Sequence, residues 1–270
     1  MKARAPAALP ERRIFETDGF AMNPSSIHII GAGRGGTSLL ASLIDAHPRC
    51  EILFEKLSVA YLEAEGERDI DSGLSLAART RNRVDRFLHA WEFDAMQHPG
   101  MLWGHKSTTE HILSLTENPP ADLGDEPGFD PIDYFVGRMS EIPTVFILRD
   151  GRTCIPSKMQ RNARTLDAAI VRWKFSVEFL MRLRASDTPL HVVRMEDLVL
   201  NPVPAVKEIC AFIGLPYTAE MLEGTTNHKM LPEYRHGRFD PDTVRLPESS
   251  PEWVSRIEPE LAYCGYLDAD

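Results

Sequence analysis

Apolar positions along the chain fall into two periods. Three short runs, IHII (27–30), TVFIL (144–148) and LHVV (190–193), have the length and β-branched character of strands. The first runs into Gly31, and the stretch beyond its glycines puts Leu39, Leu40, Leu43 and Ile44 on one helical face, which spells strand, glycine loop, helix. The second ends at Arg149 and Asp150 and leads into another helix. Between the second and third runs, Leu166, Ile170, Trp173, Val177 and Leu180 recur at alternating spacings of four and three, the signature of an amphipathic helix. Trp173 is expected in the core or flanking a cofactor. The segment NPVPAVKEICAFIGLP is bounded by Asn201 as a cap, Pro202 at the first helical position, and Gly214 followed by Pro216 at the stop.

Strands alternating with helices predict an α/β fold, a P-loop-type parallel sheet flanked by helices on both faces. Ligands of such sheets lie at the carboxyl ends of strands, so both strand-to-helix junctions are expected to open onto one cleft. Residues 1–24 carry little periodicity and read as a poorly ordered arm; 25–270 reads as a single domain. The region 115–130, rich in Pro, Gly, Asp and Glu, reads as a surface loop. Residues 225–270 are polar, with His228, Lys229, Arg235 and Arg238, and read as a flap and C-terminal tail or as plain solvated surface.

Composition narrows the function. A formal net charge of -10 argues against a general nucleic-acid binder, because phosphate backbones are held by massed Lys and Arg. Any anionic ligand must instead meet a local cluster of positive groups. Cys50, Cys154, Cys210 and Cys264 are widely spaced without a C-x-x-C pair, which predicts reduced thiols rather than zinc or a disulfide framework. The first residues, MKARAPAALPERRIF, lack the apolar core of a signal peptide, and no later run approaches the ~18 apolar residues of a membrane span, so a soluble, cytoplasmic protein is expected.

The loop GAGRGGTS, Gly31 to Ser38, follows a strand and opens a helix, where backbone N–H groups and the helix N-terminus form an anion cradle. Its spacing is nearly G-x-x-x-x-G-K-[ST], but Thr37 follows Gly36 where a nucleotide hydrolase or kinase has Lys. The positive charge lies inside the loop, at Arg34, which suits a ligand with fewer linked phosphoryl groups and no obligatory metal.

Three segments together resemble the sulfotransferases that use 3′-phosphoadenosine-5′-phosphosulfate (PAPS). GAGRGGTSLL with LIDAHP (43–48) resembles their 5′-phosphosulfate loop, typically G-x-P-R-S-G-T-T-L-L. VFILRDGRTCIPSKM (145–159) resembles their 3′-phosphate segment, and VVRMEDLVLNPVPAVKEICAFIGLP (192–216) their Y-E-D-L-x-x-x-P segment. Within the family the likeness is to the tyrosylprotein sulfotransferase and related bacterial branch. The resemblance implies PAPS as sulfuryl donor without a metal, and a small-molecule, carbohydrate or peptide acceptor. By the same likeness Arg34, Gly35, Gly36, Thr37 and Ser38 surround the 5′-phosphosulfate, while Arg149 and Ser157 bind the 3′-phosphate.

The resemblance also assigns Lys106 to the leaving group. The cytosolic branch places a His base two residues after its lysine, where this chain has Thr108. The tyrosylprotein branch places a Glu seven residues beyond the H-P pair, which from Pro48 is Glu55, the first choice of base. The plainer reading of Glu55 is an exposed glutamate at a helix start, and His105 and His111 stand in reserve as bases. Arg152 and Lys158 read as supporting charges or solvated surface, and Asp150 as orienting its neighbours or capping the next helix. Ser157 is read as a donor near a helix start, with capping as its plainer role. Three departures stand out: Gly33 and Gly35 replace Pro and Ser, Met195 replaces the Tyr that contacts adenine, and Leu57 replaces an Arg that engages acidic peptides. The competing readings are a P-loop kinase or hydrolase and a catalytically silent nucleotide-binding module.

Overall fold

The structure is a computed structural model and describes residues 26–63, 73–117, 126–162 and 165–267. The arm expected at 1–24 lies outside the described residues, as do residues 118–125 of the expected loop. Five strands, β1 (Ser26–Gly31), β2 (Cys50–Phe54), β3 (Leu102–Lys106), β4 (Thr144–Leu148) and β5 (Leu190–Arg194), form one sheet in the order β2-β3-β1-β4-β5. All neighbouring pairs are parallel.

Parallel neighbours need crossovers, and helices supply them. α1 (Thr37–Asp45) leads from β1 to β2, and α2 (Leu76–Met96) precedes β3. α3 (Thr109–Leu113) and α4 (Pro131–Met139) precede β4, while α5 (Gly151–Asn162) and α6 (Leu166–Ala185) precede β5. α7 (Met195–Leu200) and α8 (Pro202–Ile213) follow, and short 3₁₀ turns lead to α9 (Glu258–Tyr263). Among the described residues no helix is long and apolar enough to cross a membrane.

The strands are apolar on both faces because both faces are covered. Ile27, Ile29, Val145 and Ile147 pack with Leu40 and Leu43 of α1 and Val206 and Ile209 of α8. Ile30, Phe146 and Leu148, one residue out of phase, pack in the second core with Phe87 and Trp91 of α2, Phe135 of α4, and Trp173 and Phe179 of α6. Trp173 is buried, and its indole N–H donates to the carbonyl of Arg149 at 3.0 Å, so this core residue also steadies the tip of β4. The cysteines Cys50, Cys154, Cys210 and Cys264 are all free and buried.

Two features differ from the sequence reading. β2 is missed by periodicity because CEILF is short and carries a glutamate. α8 starts at Pro202 and ends at Gly214, which is left-handed at φ 72°, but the Asn201 side chain makes no capping bond. Asn201 sits at φ -136° and ψ 61°, outside the extended conformation that ordinarily aims a cap.

The sheet sets its own tolerance at the mouth of β1. A Cβ on Gly31 would run into the carbonyl oxygen of Ile147 on β4, a backbone atom held by the ladder. Gly31→Ala is therefore expected to destabilise the fold by about 1–3 kcal/mol, read as a lower urea midpoint at unchanged m-value.

Candidate functional site

Two strand tips and the loops beyond them build the site. After β1 the chain turns tightly: the Gly35 N–H donates to Ala32 O at 2.7 Å, while Arg34 (φ 68°) and Gly36 (φ 97°) are left-handed. Glycine is required at 36, where any Cβ would also strike the Met195 sulfur. The turn leaves amides at the N-terminus of α1, a favourable place for an anion. Beyond β4, Arg149 is buried and reaches across to this turn. Its Nη1 donates to Arg34 O at 2.7 Å, its Nε to Thr153 Oγ1 at 3.0 Å, and its Nη2 to the carbonyl of Thr243. Arg34 Nε donates to Ser157 Oγ at 3.1 Å, and the Arg34 guanidinium lies 4.7 Å from the Tyr234 ring centre and bonds the Tyr234 hydroxyl.

These groups face one cavity of about 450 Å³. Arg34, Gly36, Thr37, Ser38, Arg149 and Ser157 line it, so the structure brings both presumed anion seats together. Gly35 is buried behind the turn. Met195 closes one side, and Tyr234, Phe239 and Thr243 come from the segment read as a flap or solvated surface, which thus forms a wall.

A second cavity of about 470 Å³ shares Arg34, Thr37, Ser38 and Tyr234 with the first and contains Glu55 and Lys106. The two are neighbours because β2 pairs with β3: Phe54 stands opposite Lys106, and the Glu55 N–H donates to Lys106 O at 2.8 Å. Glu55 lies between the end of β2 and the helical turn that contains Ser58–Glu63, with a left-handed φ of 57°. Its carboxylate is ion-paired with the Lys106 ammonium. The plain exposed glutamate of the sequence reading is therefore replaced by a half-buried, paired one. Lys106 is buried, and burial holds its pKa below the ordinary lysine value although the Glu55 carboxylate pulls the other way.

Beneath this pair lies a chain of neutral imidazoles. The Leu57 N–H donates to His105 Nε2 at 3.3 Å, so the His105 proton sits on Nδ1 and is directed at Ser107 Oγ, 3.2 Å away. The Ser107 hydroxyl is then free to donate to His28 Nε2 at 3.1 Å. His105 is fully buried and lines neither cavity. His111 Nδ1 accepts the Thr108 N–H at 2.9 Å and its Nε2 faces Glu63 at 3.6 Å. The two reserve bases are thus committed to holding backbone. Leu57 packs in the core rather than facing an acceptor.

Burial and local geometry define the remaining side chains. Lys158 is not solvated surface: it is buried and ion-paired with Glu110, whose Oε2 accepts the Gly33 N–H at 2.8 Å. Ser157 lies in the second turn of α5, next to Pro156, and caps nothing. Asp150 accepts from the Arg152 N–H at 2.8 Å and pairs with the Arg152 guanidinium. Sequence reasoning missed Glu110, Tyr234 and Thr243. Tyr234 offered a faint signal, an aromatic in the polar run PEYRHG, whereas the Thr243 contact is through backbone and leaves none.

Comparison with known proteins fits this geometry. Residues 141–219, from the approach to β4 past the end of α8, match the model of the sulfotransferase family. Over this segment the chain is similar to the sulfotransferase family. The matched segment carries Arg149, Ser157 and Met195 of the first cavity. Three solved structures share the sulfotransferase fold. The sulfotransferase domain of the Synechococcus PCC 7002 olefin synthase is 18% identical, with 92% of this chain and 97% of that one covered at a TM-score of 0.63. The sulfotransferase domain from the curacin biosynthetic pathway is 17% identical, with 88% and 98% covered at 0.58. A sulfotransferase from Alicyclobacillus acidocaldarius is 14% identical, with 91% and 97% covered at 0.52. No curated protein matches.

The buried imidazoles make the site acid-sensitive. Burial, with a smaller contribution from His111, lowers the His28 pKa from 6.5 to about 3, so the unfolded chain binds a proton that the folded one refuses. Stability is whole above pH 6.5 and falls as pH drops toward 3, by about 1.4 kcal/mol per pH unit for one such group. His28→Gln is expected to remove about that much slope between pH 6 and 4 in urea-derived stabilities.

Proposed function

We propose that this protein is a sulfotransferase that moves a sulfuryl group from PAPS to a hydroxyl acceptor by in-line displacement. The observation that carries the proposal is that Arg34 and Arg149 share one cavity, and that this cavity shares a wall with the one containing Glu55 and Lys106. The donor's residues would divide by chemistry. Amides of the glycine turn, with Thr37 and Ser38, suit the 5′-phosphosulfate, and Arg149 with Ser157 suits the 3′-phosphate through charge-assisted hydrogen bonds. Arg34, bonded to Ser157 while its backbone belongs to the turn, lies between the two. Phe239, in the same cavity as Met195, supplies an aromatic wall where the family's Tyr is absent.

Glu55 takes the proton of the acceptor hydroxyl as its oxygen attacks sulfur. The new S–O bond forms as the bond from sulfur to the phosphate oxygen breaks, and that oxygen keeps the electron pair. Lys106 offsets the charge that builds there, a role suited to a buried ammonium. Its ion pair with Glu55 holds the carboxylate beside it in the same cavity. The assignment of Glu55 follows the tyrosylprotein branch of the family. For the acceptor, Lys106, Lys158, Arg161 and Lys229 around the second cavity are each already paired with a carboxylate, which favours a hydroxyl compound without massed negative charge.

A kinase or hydrolase reading has less support, because the loop lacks the lysine that neutralises a nucleotide triphosphate. Isothermal calorimetry separates the two: metal-free binding of 3′-phosphoadenosine-5′-phosphate (PAP) with little affinity for ATP is expected, and tight, magnesium-dependent ATP binding would reverse the reading. Arg149→Ala should weaken PAP binding by about 1.5–3 kcal/mol, or ten- to 150-fold. Glu55→Gln should leave the PAP Kd near wild type and lower turnover by ~10²–10⁴, measured by mass gain of one sulfuryl group on an accepted substrate. Wild-type turnover in that variant would remove Glu55 from the mechanism.

A further inference from the structure

Beside the glycine turn lies an ion pair that the proposed chemistry does not use. Glu110 projects from α3 and Lys158 from α5, and both are largely withdrawn from solvent, with side-chain exposures of 17% and 3%. One Glu110 oxygen pairs with the Lys158 ammonium, and the other accepts the Gly33 N–H at 2.8 Å. A buried pair of this kind gains little over well-packed apolar residues, since each charge loses its hydration. What this pair secures is a carboxylate at a fixed place against the loop backbone.

The loop is built around that contact. A Cβ on Gly33 would stand 2.9 Å from Glu110 Oε1, so glycine at this position lets the carboxylate approach, and its N–H is the group that proline would lack. The next residue, Arg34, is held at φ 68°, a left-handed conformation that a non-glycine residue adopts only under outside constraint. Constraint arrives from both sides: Glu110 grips the Gly33 N–H, and Arg149 grips the Arg34 carbonyl. A third contact, from Cys154 Sγ to Gly33 O at 3.8 Å, closes the same side as α5.

We propose that Glu110, anchored by Lys158, is a positioning residue that presets the glycine turn for the donor. The carboxylate fixes Gly33, which fixes the peptide leading into Arg34, and the amides that follow reach the donor already aimed. A loop ordered in advance saves the cost of ordering it on binding, so the benefit appears in donor affinity. The inference rests on the donor-binding reading above, and the two fail separately.

The test is PAP titration by calorimetry on the full chain, beside donor KM and kcat. Wild-type protein must bind PAP; if it does not, the donor reading falls first. Given binding, Glu110→Ala is expected to weaken the PAP Kd at least tenfold, and Lys158→Met to weaken it less. The double variant should be no weaker than Glu110→Ala alone, because both changes break one unit. Glu110→Gln keeps an oxygen for the Gly33 N–H, should recover part of the loss, and carries the test should the alanine variant fail to fold. The loss should fall on donor KM, with kcat at saturating donor much less affected. A PAP Kd within twofold of wild type in Glu110→Ala and Glu110→Gln, with only the melting temperature lowered, would overturn the positioning role. So would tighter binding, which would mark the carboxylate as a competitor of the donor, or a change confined to acceptor KM and kcat.

Discussion

The hydrogen bond from Arg149 to the carbonyl of Arg34 joins the tips of β4 and β1, and the site depends on it. Its two ends are separated by 115 positions in sequence, yet it makes one surface of two loops. The guanidinium at one end is buried and aligned by Thr153 and by the carbonyl of Thr243. The carbonyl at the other end belongs to a residue whose backbone is left-handed. Trp173 supports the joint from below, through its bond to the Arg149 carbonyl. Core packing, strand register and the shape of the glycine turn therefore converge on the same few atoms.

Charge is the second constraint. A chain of net charge -10 holds anions only by gathering its cations, and it does so in paired form. Lys106 with Glu55 and Lys158 with Glu110 place two alternating pairs in one cavity. Pairing lets lysines lie buried, and leaves Arg34 and Arg149, bonded to hydroxyls and carbonyls, lining the other cavity. Beneath them the His28, Ser107 and His105 chain stays neutral, because a proton there would be stranded away from water.

How much of this was legible in the sequence follows from the range of the interactions. β1, β4 and β5 announce themselves because each is a short run dominated by β-branched and other apolar residues, and the glycine loop because its spacing is local. β2 does not, since its five residues include Cys50 and Glu51 and no turn residue sets off its far end. Lys158 reads as either a supporting charge or solvated surface because its partner is 48 positions away, and pairing with a distant carboxylate leaves no periodic trace. Gly33 stands where the family has proline, and only the contact with Glu110 shows what holds the loop in its place. His105 and His111 stood only in reserve as bases, and the backbone N–H groups of Leu57 and Thr108 that occupy them are visible only in three dimensions.

The central claim is that one cavity seats both ends of the donor nucleotide. A crystal structure of the full chain grown with PAP tests it most directly. The account predicts the 5′-phosphate against the amides of Gly35 to Thr37 and the 3′-phosphate between Arg149 and Ser157. Nucleotide density at any other surface, or a 3′-phosphate that leaves Arg149 bonded only to protein, would contradict it.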